Sequence, residues 1–363
     1  MKVLLDHQIF AFQNYGGISR YFVEVADHLK HYPDIDLKCS VLFSNNEYLE
    51  NNVAIKARPF FKNSNLKGKG TFIQKIDTAY SMLSILKNDY DIFHPTYYFP
   101  YHLGLNKKPL VVTCYDLIHE IYIQEDKSTL SMKEKVLKRA DKIFAISKNT
   151  KKDLVEYYNI PEEKVEVVYL ASSLQKVTTP YKIDSEGGKR FFLYVGKRNL
   201  YKNFVPFAEA IAPLLTKHKD LFLFCAGGGN FDSDELNLFR SLKIADRVQY
   251  YPGSDESLNT LYSNAMAYIY PSLYEGFGIP VLEAMGCGCP VLASNTSSLP
   301  EVGGDAALYF DPLKKDEIYQ AAETILENEN LRSNLKAKGL QRAAEFTWER
   351  TAQQSYLLYK NIV

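Results

Sequence analysis

Two acids, Glu275 and Glu283, flank a glycine turn in residues 271–286 (PSLYEGFGIPVLEAMG). A strand-like apolar run, residues 267–270, leads into it. Pro280 stands where a helix begins, since its fixed φ and missing N–H suit the first helical position. The spacing predicts Glu275 in the turn and Glu283 in the first turn of the helix, with Ile279, just before Pro280, counted among the binding residues. The backbone N–H groups of Gly276, Phe277 and Gly278 then lie at a helix N-terminus, which suits an anion. Carboxylates accept hydrogen bonds from hydroxyls and repel phosphate. The stretch therefore reads as a site for a phosphorylated ligand that also carries hydroxyls. Taken singly, Glu283 also reads as an acid on the helix dipole, and Glu275 as a solvated loop residue.

A second stretch, residues 196–203 (GKRNLYKN), puts Gly196 and three cations after another strand-like run. Lys197, Arg198 and Lys202 are suited to neutralise a diphosphate, with the turn amides on its other side. A cation just before a helix is unfavourable unless an anion visits, which singles out Lys202. Gly227 opens a triple glycine that keeps bulky side chains out of a nucleotide's path. Tyr251 ends a further strand, and the loop after it bears on which ligand is taken. In the first half, Gly16 and Gly17 make either a tight turn or a close backbone approach to phosphate. Tyr115 and Asp116 follow the buried run 109–114, at the strand end where parallel sheets present functional side chains. Residues 95–101 (PTYYFPY) offer aromatic rings for a sugar face or for a core. A phosphate-loop lysine motif, a Ser-His-Asp elbow and a dense His/Asp metal cluster are missing from the sequence. With lysine and arginine at hand, no metal and no other cofactor is expected.

The elements that must position these residues alternate between strand and helix. Apolar runs at 3–5, 37–43, 91–94, 109–114, 142–147 and 164–169 are separated by segments of helical spacing, such as 18–30 with Tyr21, Phe22, Val25 and Leu29. After residues 171–190, rich in Ser, Thr, Pro, Gly and Lys, the pattern restarts at 191–195, 221–226, 248–251, 267–270 and 290–293. This predicts two α/β domains, each a parallel sheet with helices on both faces, with a ligand in the cleft between the strand ends. The expected divisions are 1–172, a linker at 173–190, and 191–347, with a last helix from Trp348 (residues 348–363) returning to the first domain.

Composition narrows the function classes. The 363 residues are 46% apolar and 24% charged with a formal net charge of zero, which argues against a nucleic-acid partner held by bulk charge. The five cysteines, Cys39, Cys114, Cys225, Cys287 and Cys289, are odd in number and dispersed, which fits a reducing compartment. Asp6 comes too early for a signal peptide, and no apolar run reaches the roughly 18 residues of a membrane span. A cytoplasmic protein is expected. Residues 56–75, from Lys56 to Lys75, carry Arg58, Lys62, Lys67, Lys69 and three phenylalanines without an acid. They read as a solvated loop or as peripheral contact with an anionic inner membrane face.

Residues 270–286 resemble the E-x7-E signature of the retaining family 4 glycosyltransferases (glycosyl transferases group 1), which have the GT-B fold. Gly16 and Gly17, Asp116, residues 195–203 and residues 299–302 fall in family order, so the resemblance covers nearly the whole chain. It implies two Rossmann-like domains facing across a cleft. It implies that Glu275 contacts donor-sugar hydroxyls, the Phe277 and Gly278 amides the phosphates, Glu283 the ribose and Lys202 the diphosphate. Gly17 would approach the donor phosphate. Tyr115 stands where the family often has a histidine, for which His94 and His119 are the candidate replacements. The family's phosphate-binding arginine falls near Lys197, with Arg198 beside it.

The implied activity is metal-independent transfer of a hexose, with retention, from a nucleotide-sugar such as a UDP- or GDP-hexose. The acceptor would be a polysaccharide or lipid-linked oligosaccharide, in the synthesis of lipopolysaccharide, capsule or another surface glycan. A nucleotide-sugar epimerase on the same scaffold, or a sugar-nucleotide binding protein without catalysis, are the alternatives.

Overall fold

A computed structural model describes residues 1–50, 52–61, 68–123, 127–174, 190–198 and 200–363. The chain divides into two compact units, Met1–Leu170 with Trp348–Val363, and Ala171–Thr347. Of the linker region, residues 175–189 lie outside the described residues.

Unit 1 holds β1 (Lys2–Asp6), β2 (Asp36–Ser40), β3 (Ile92–His94), β4 (Val111–Cys114), β5 (Lys142–Ala145) and β6 (Val165–Val167). They form two parallel three-stranded sheets, β2-β1-β3 and β4-β5-β6, joined by a parallel bridge between Phe93 and Leu110. The strand order reverses between β1 and β3, and in such sheets ligands bind beyond the strand ends at that point. The helix Gly17–Leu29 buries Tyr21, Phe22, Val25 and Leu29 along one face, the stripe its spacing predicts. The helix Trp348–Lys360 packs on it, with Trp348 6.4 Å from the Tyr21 ring. Its Thr351 donates to the Tyr169 carbonyl at 2.8 Å.

Unit 2 is one six-stranded parallel sheet in the order β12-β11-β10-β7-β8-β9. The strands are β7 (Arg190–Val195), β8 (Leu221–Ala226), β9 (Val248–Tyr251), β10 (Ala267–Tyr270), β11 (Val291–Ser294) and β12 (Ala307–Phe310). β8, β10 and β11 are buried along their whole length, as parallel strands covered on both faces must be. The order reverses between β7 and β10, which places residues 196–203 and 271–278 side by side at that crevice.

Two elements depart from the sequence reading. β12 is a four-residue edge strand, too short and half-exposed to stand out. The helix Lys69–Lys87 takes in residues 69–75, the end of the segment that reads as a loop. Its buried stripe is Ile73, Asp77, Ser81 and Ile85, so half of it is polar and the apolar period is faint. It docks by hydrogen bonds instead. Asp77 accepts from Leu42 N at 2.8 Å and Phe43 N at 3.2 Å, and Ser81 donates to Ser40 O at 2.9 Å.

Buried titratable groups tie the stability of unit 1 to pH. His94 lies in the core, with Nδ1 2.6 Å from Tyr359 Oη and Nε2 3.0 Å from Thr113 Oγ1. Burial pushes the pKa of His94 down to about 3 and that of His102 down to about 4. Both rings stay neutral in the fold but accept a proton near pH 6.5 once unfolded. Their contribution is complete above that pH and is lost as pH falls toward 4, by about 2 kcal/mol each at pH 5. Asp77, lifted to about 6 by burial, acts in the opposite sense and offsets part of this. Trp348, the single tryptophan, reports on unit 1. Urea titrations followed by its fluorescence are expected to show a clearly lower midpoint at pH 5 than at pH 7.

Candidate active site

In unit 2 the loops after β7 and β10 meet through one ion pair. Lys202 Nζ lies 2.7 Å from Glu275 Oε1 and donates to Tyr270 Oη at 3.3 Å. The Lys202 and Glu275 side chains are 15% and 9% exposed. The ammonium also sits over the Tyr201 and Tyr270 rings, 5.2 and 5.3 Å from their centroids. Leu273 N donates to Tyr201 O at 2.7 Å, so backbone as well as charge joins the two loops. Burial next to Glu275 raises the Tyr270 hydroxyl well above its ordinary pKa, so it remains a neutral donor.

The backbone around the pair is held in uncommon conformations. Leu200, Asn203 and Ser297 take φ of +45°, +56° and +52°. Such left-handed non-glycine residues cost about 1–3 kcal/mol each and persist where their surroundings dictate them. Asn203 is fixed by its side chain, which donates to Pro312 O at 2.8 Å. Ser297 Oγ accepts from Glu275 N at 2.9 Å. Ser298 Oγ reaches the carbonyls of Glu275 and Phe277, at 2.9 and 2.8 Å. These two serines, after β11, hold the turn that carries Glu275. Their only sequence signal is a pair of small hydroxyls following a strand end.

Gly278 has φ of +105° and caps the helix Ile279–Gly286. A Cβ there would stand 2.8 Å from Leu299 Cδ2. Phe277 is buried against Phe346, 5.9 Å between rings, so its side chain anchors the turn and its amide belongs to the helix start. Ile279 is half-buried at the first helical position. Glu283 is the fifth helical residue, one position later than the spacing predicts and so just past the first turn, because the helix starts at Ile279 and Pro280 is already its second residue. Its carboxylate accepts from Tyr262 Oη at 3.3 Å.

Gly196, Gly227 and Tyr251 lie in one row at the ends of β7, β8 and β9. Gly196 N donates to Ala226 O at 2.9 Å, and Gly227 N to Tyr251 O at 3.2 Å. The neighbouring Gly228, at φ +72°, has no room for a side chain, since a Cβ would sit 2.5 Å from Gly196 O. The triple glycine thus allows loop to pack on loop. Arg198 locks this packing. Its guanidinium, 4% exposed, donates to Glu235 at 2.6 Å, to Gly227 O at 2.9 Å and to Gly229 O at 2.8 Å. Lys197, next to it, is exposed.

Unit 1 carries the remaining sequence-predicted residues. Gly16 caps and Gly17 opens the helix Gly17–Leu29, and the Gln13 side chain accepts from Ser19 N at 3.3 Å beneath them. Tyr115, Asp116 and His119 line one cavity of unit 1, whereas His94 is sealed in the core. Asp116 Oδ1 accepts from Ile118 N at 3.0 Å. The Asp116 carbonyl accepts from Lys133 Nζ at 2.6 Å, and that lysine is paired with the buried Glu120 at 2.8 Å. Among the described residues no group of three or more His, Cys, Asp or Glu is placed to hold a metal ion.

Residues 15–175 match the family described as Glycosyltransferase Family 4, and residues 177–342 match Glycosyl transferases group 1. The chain belongs to the family 4 glycosyltransferases. O-antigen chain mannosyltransferase B of Escherichia coli is 28% identical to this glycosyltransferase over 95% of the chain and 96% of the relative. Sucrose-phosphate synthase from Thermosynechococcus elongatus superposes with a TM-score of 0.76 at 18% identity, covering 99% of this chain and 98% of that one. Anabaena HepE, in complex with UDP and glucose, superposes with a TM-score of 0.75 at 16% identity over 99% of both chains. The glycosyltransferase has the GT-B fold.

Two substitutions test how the turn is held. Ser298→Ala leaves two buried carbonyls without their donor, an expected loss of about 1–3 kcal/mol. Gly278→Ala adds a clash to a left-handed φ and is expected to cost more. Thermal melts of the full chain check the order.

Proposed function

We propose that the chain transfers a hexose, most simply mannose, from a nucleoside diphosphate sugar to the carbohydrate of a surface polysaccharide of the O-antigen type, with retention at the anomeric carbon. End-to-end similarity to the E. coli mannosyltransferase supports the sugar and the acceptor class. The observation that carries the reading is the Lys202–Glu275 pair at the strand-order reversal, beside the amides that start the helix Ile279–Gly286.

On this reading Lys202, Lys197 and the amides of Phe277 and Gly278 meet the charge that develops on the leaving diphosphate, an electrostatic role that is usually the largest catalytic term. Glu275 accepts from donor-sugar hydroxyls and orients the ring. It is not a nucleophile. Glu283, steadied by Tyr262, takes the ribose. The acceptor hydroxyl attacks from the face the diphosphate leaves, and the departing phosphate takes its proton. Arg198 shapes the β7–β8 loops and Lys197 is the exposed cation of that pair, whereas the arginine's donors are already engaged. Gly16, Gly17, Tyr115 and Asp116 serve from unit 1. Ligand-induced stabilisation in a thermal-shift screen of UDP-, GDP- and ADP-sugars identifies the donor.

Peripheral contact with an anionic membrane belongs to the same reading. Lys56, Arg58, Lys69 and Lys75 accompany Phe61 and Phe72, which are 61% and 52% exposed, while Lys62 and Lys67 lie outside the described residues. No described helix is long and apolar enough to cross a membrane. Equal sedimentation with neutral and anionic vesicles at low salt would remove this contact.

Lys202→Met and Glu275→Gln are each expected to lower turnover about 10²–10³-fold. Each single change also strands a charge and lowers the melting temperature. The double variant is expected to regain stability but not transfer. Wild-type turnover in either single variant would sink the assignment.

A further inference from the structure

On the transfer reading, Lys202 and Glu275 serve different parts of the donor, yet the structure has them serving each other. Lys202 Nζ lies 2.7 Å from Glu275 Oε1, where a diphosphate oxygen would accept from the ammonium. Glu275 accepts from that same ammonium, where a sugar hydroxyl would donate. Each side chain thus takes, for the other, the place of a ligand group. The side chains are only 15% and 9% exposed, so little water screens the contact.

The loops that carry the pair are fixed by other bonds. Leu273 N donates to Tyr201 O at 2.7 Å, and the Asn203 side chain donates to Pro312 O at 2.8 Å. Ser297 Oγ accepts from Glu275 N at 2.9 Å, and Ser298 Oγ reaches the Glu275 carbonyl at 2.9 Å. None of these bonds uses the ammonium or the carboxylate. The pair can therefore part by side-chain rotation alone, for which lysine's flexible four-carbon stem is suited. Tyr270 fits both arrangements. Its hydroxyl accepts from Lys202 at 3.3 Å and hydrogen-bonds the Glu275 carboxylate. Glu275 thus keeps one neutral donor when the lysine turns away.

We propose that the Lys202–Glu275 pair is an internal competitor, which discriminates against the nucleoside diphosphate alone and helps to expel it after transfer. The inference rests on the transfer reading and concerns which nucleotide that site retains. A nucleoside diphosphate draws Lys202 away and leaves a nearly buried Glu275 without its cation, the costly state for such a pair. An intact nucleotide-sugar brings phosphate to the lysine and hydroxyls to the carboxylate, so neither charge is stranded. When the hexose leaves on the acceptor, its hydroxyls leave with it. Glu275 then takes Lys202 back, and the nucleotide loses that cation. The exposed Lys197 and the amides of Phe277 and Gly278 serve both ligands alike, so they do not discriminate. The rival account is direct repulsion of phosphate by the carboxylate, with no part for the lysine.

A double-mutant cycle on the full chain separates the two. Calorimetry measures GDP, UDP and ADP binding to the wild type, Glu275→Gln, Lys202→Met and the double variant. Glu275→Gln is expected to tighten the nucleoside diphosphate by about tenfold or more, although it loses most transfer. In the Lys202→Met background the same change is expected to alter affinity by no more than about twofold. Residual turnover of Glu275→Gln is inhibited by the nucleoside diphosphate at a lower concentration than that of the wild type. The wild type offers a check that needs no variant. Free mannose or glucose supplies hydroxyls to Glu275 and is expected to raise nucleotide affinity, with a reciprocal gain for the hexose. Unchanged nucleotide affinity in Glu275→Gln, an equal gain in the Lys202→Met background, or hexose and nucleotide without mutual effect would overturn the competition. In each of those cases nucleotides still bind and transfer still depends on both residues. Failure of the transfer reading looks different: no nucleoside diphosphate binds any of the four proteins and no donor releases one, and the competition falls with it.

Discussion

Unit 2 is organised around one charge pair. A parallel sheet whose order reverses between β7 and β10 brings two loops together at its edge, and Lys202 meets Glu275 there. The pair is nearly buried, and burying two charges is costly unless further hydrogen bonds satisfy them. The neighbouring structure meets that condition. Tyr201 and Tyr270 flank the ammonium, Ser297 and Ser298 hold the carboxylate's turn, and Asn203 and Leu200 accept left-handed backbone to bring the lysine in. Remove the pair and these contacts have nothing to position. On the proposed transfer reading, a lysine and a glutamate so fixed would meet the donor as a preset dipole, the kind of arrangement that stabilises a leaving anion electrostatically.

Unit 1 follows the same principle with different residues. Asp6 and the Lys133–Glu120 pair are buried charges with their partners supplied, and each supports a loop at a strand end. In both units the hydrophobic sheet supplies rigidity while a small number of buried polar groups decide where the loops point. Lys197 and Arg198 illustrate the distinction. Adjacent in sequence and alike in charge, one is exposed and the other is enclosed by the carbonyls of residues 227 and 229.

The legible parts of the sequence were those governed by local rules. Continuous apolar runs marked the buried strands because parallel strands are covered on both faces. The glycine turn, the proline and the two acids of residues 271–286 marked the turn and helix start after β10, because each residue has a backbone or charge reason to be there. What escaped was set by long-range partners. Ser298 matters through carbonyls more than twenty residues away, and the helix Lys69–Lys87 is held through Asp77 and Ser81, which weaken the very period that announces a helix. Glu283 was placed one residue early because proline suits the second helical position as well as the first. That Arg198 is enclosed and Lys197 exposed depends on Glu235, which no local pattern links to them.

The helix Trp348–Lys360 completes unit 1 although the whole of unit 2 precedes it in the chain. On a ribosome, therefore, the first unit to emerge is the last that can finish folding. Until that helix arrives, Tyr21 lacks Trp348 and His94 lacks the hydroxyl of Tyr359. Unit 2, whose sheet is contiguous in sequence, can reach its fold while the core of unit 1 still shows an open face. The chain must then shield that face for as long as it takes to synthesise unit 2, which makes the speed of translation part of what this fold has to withstand.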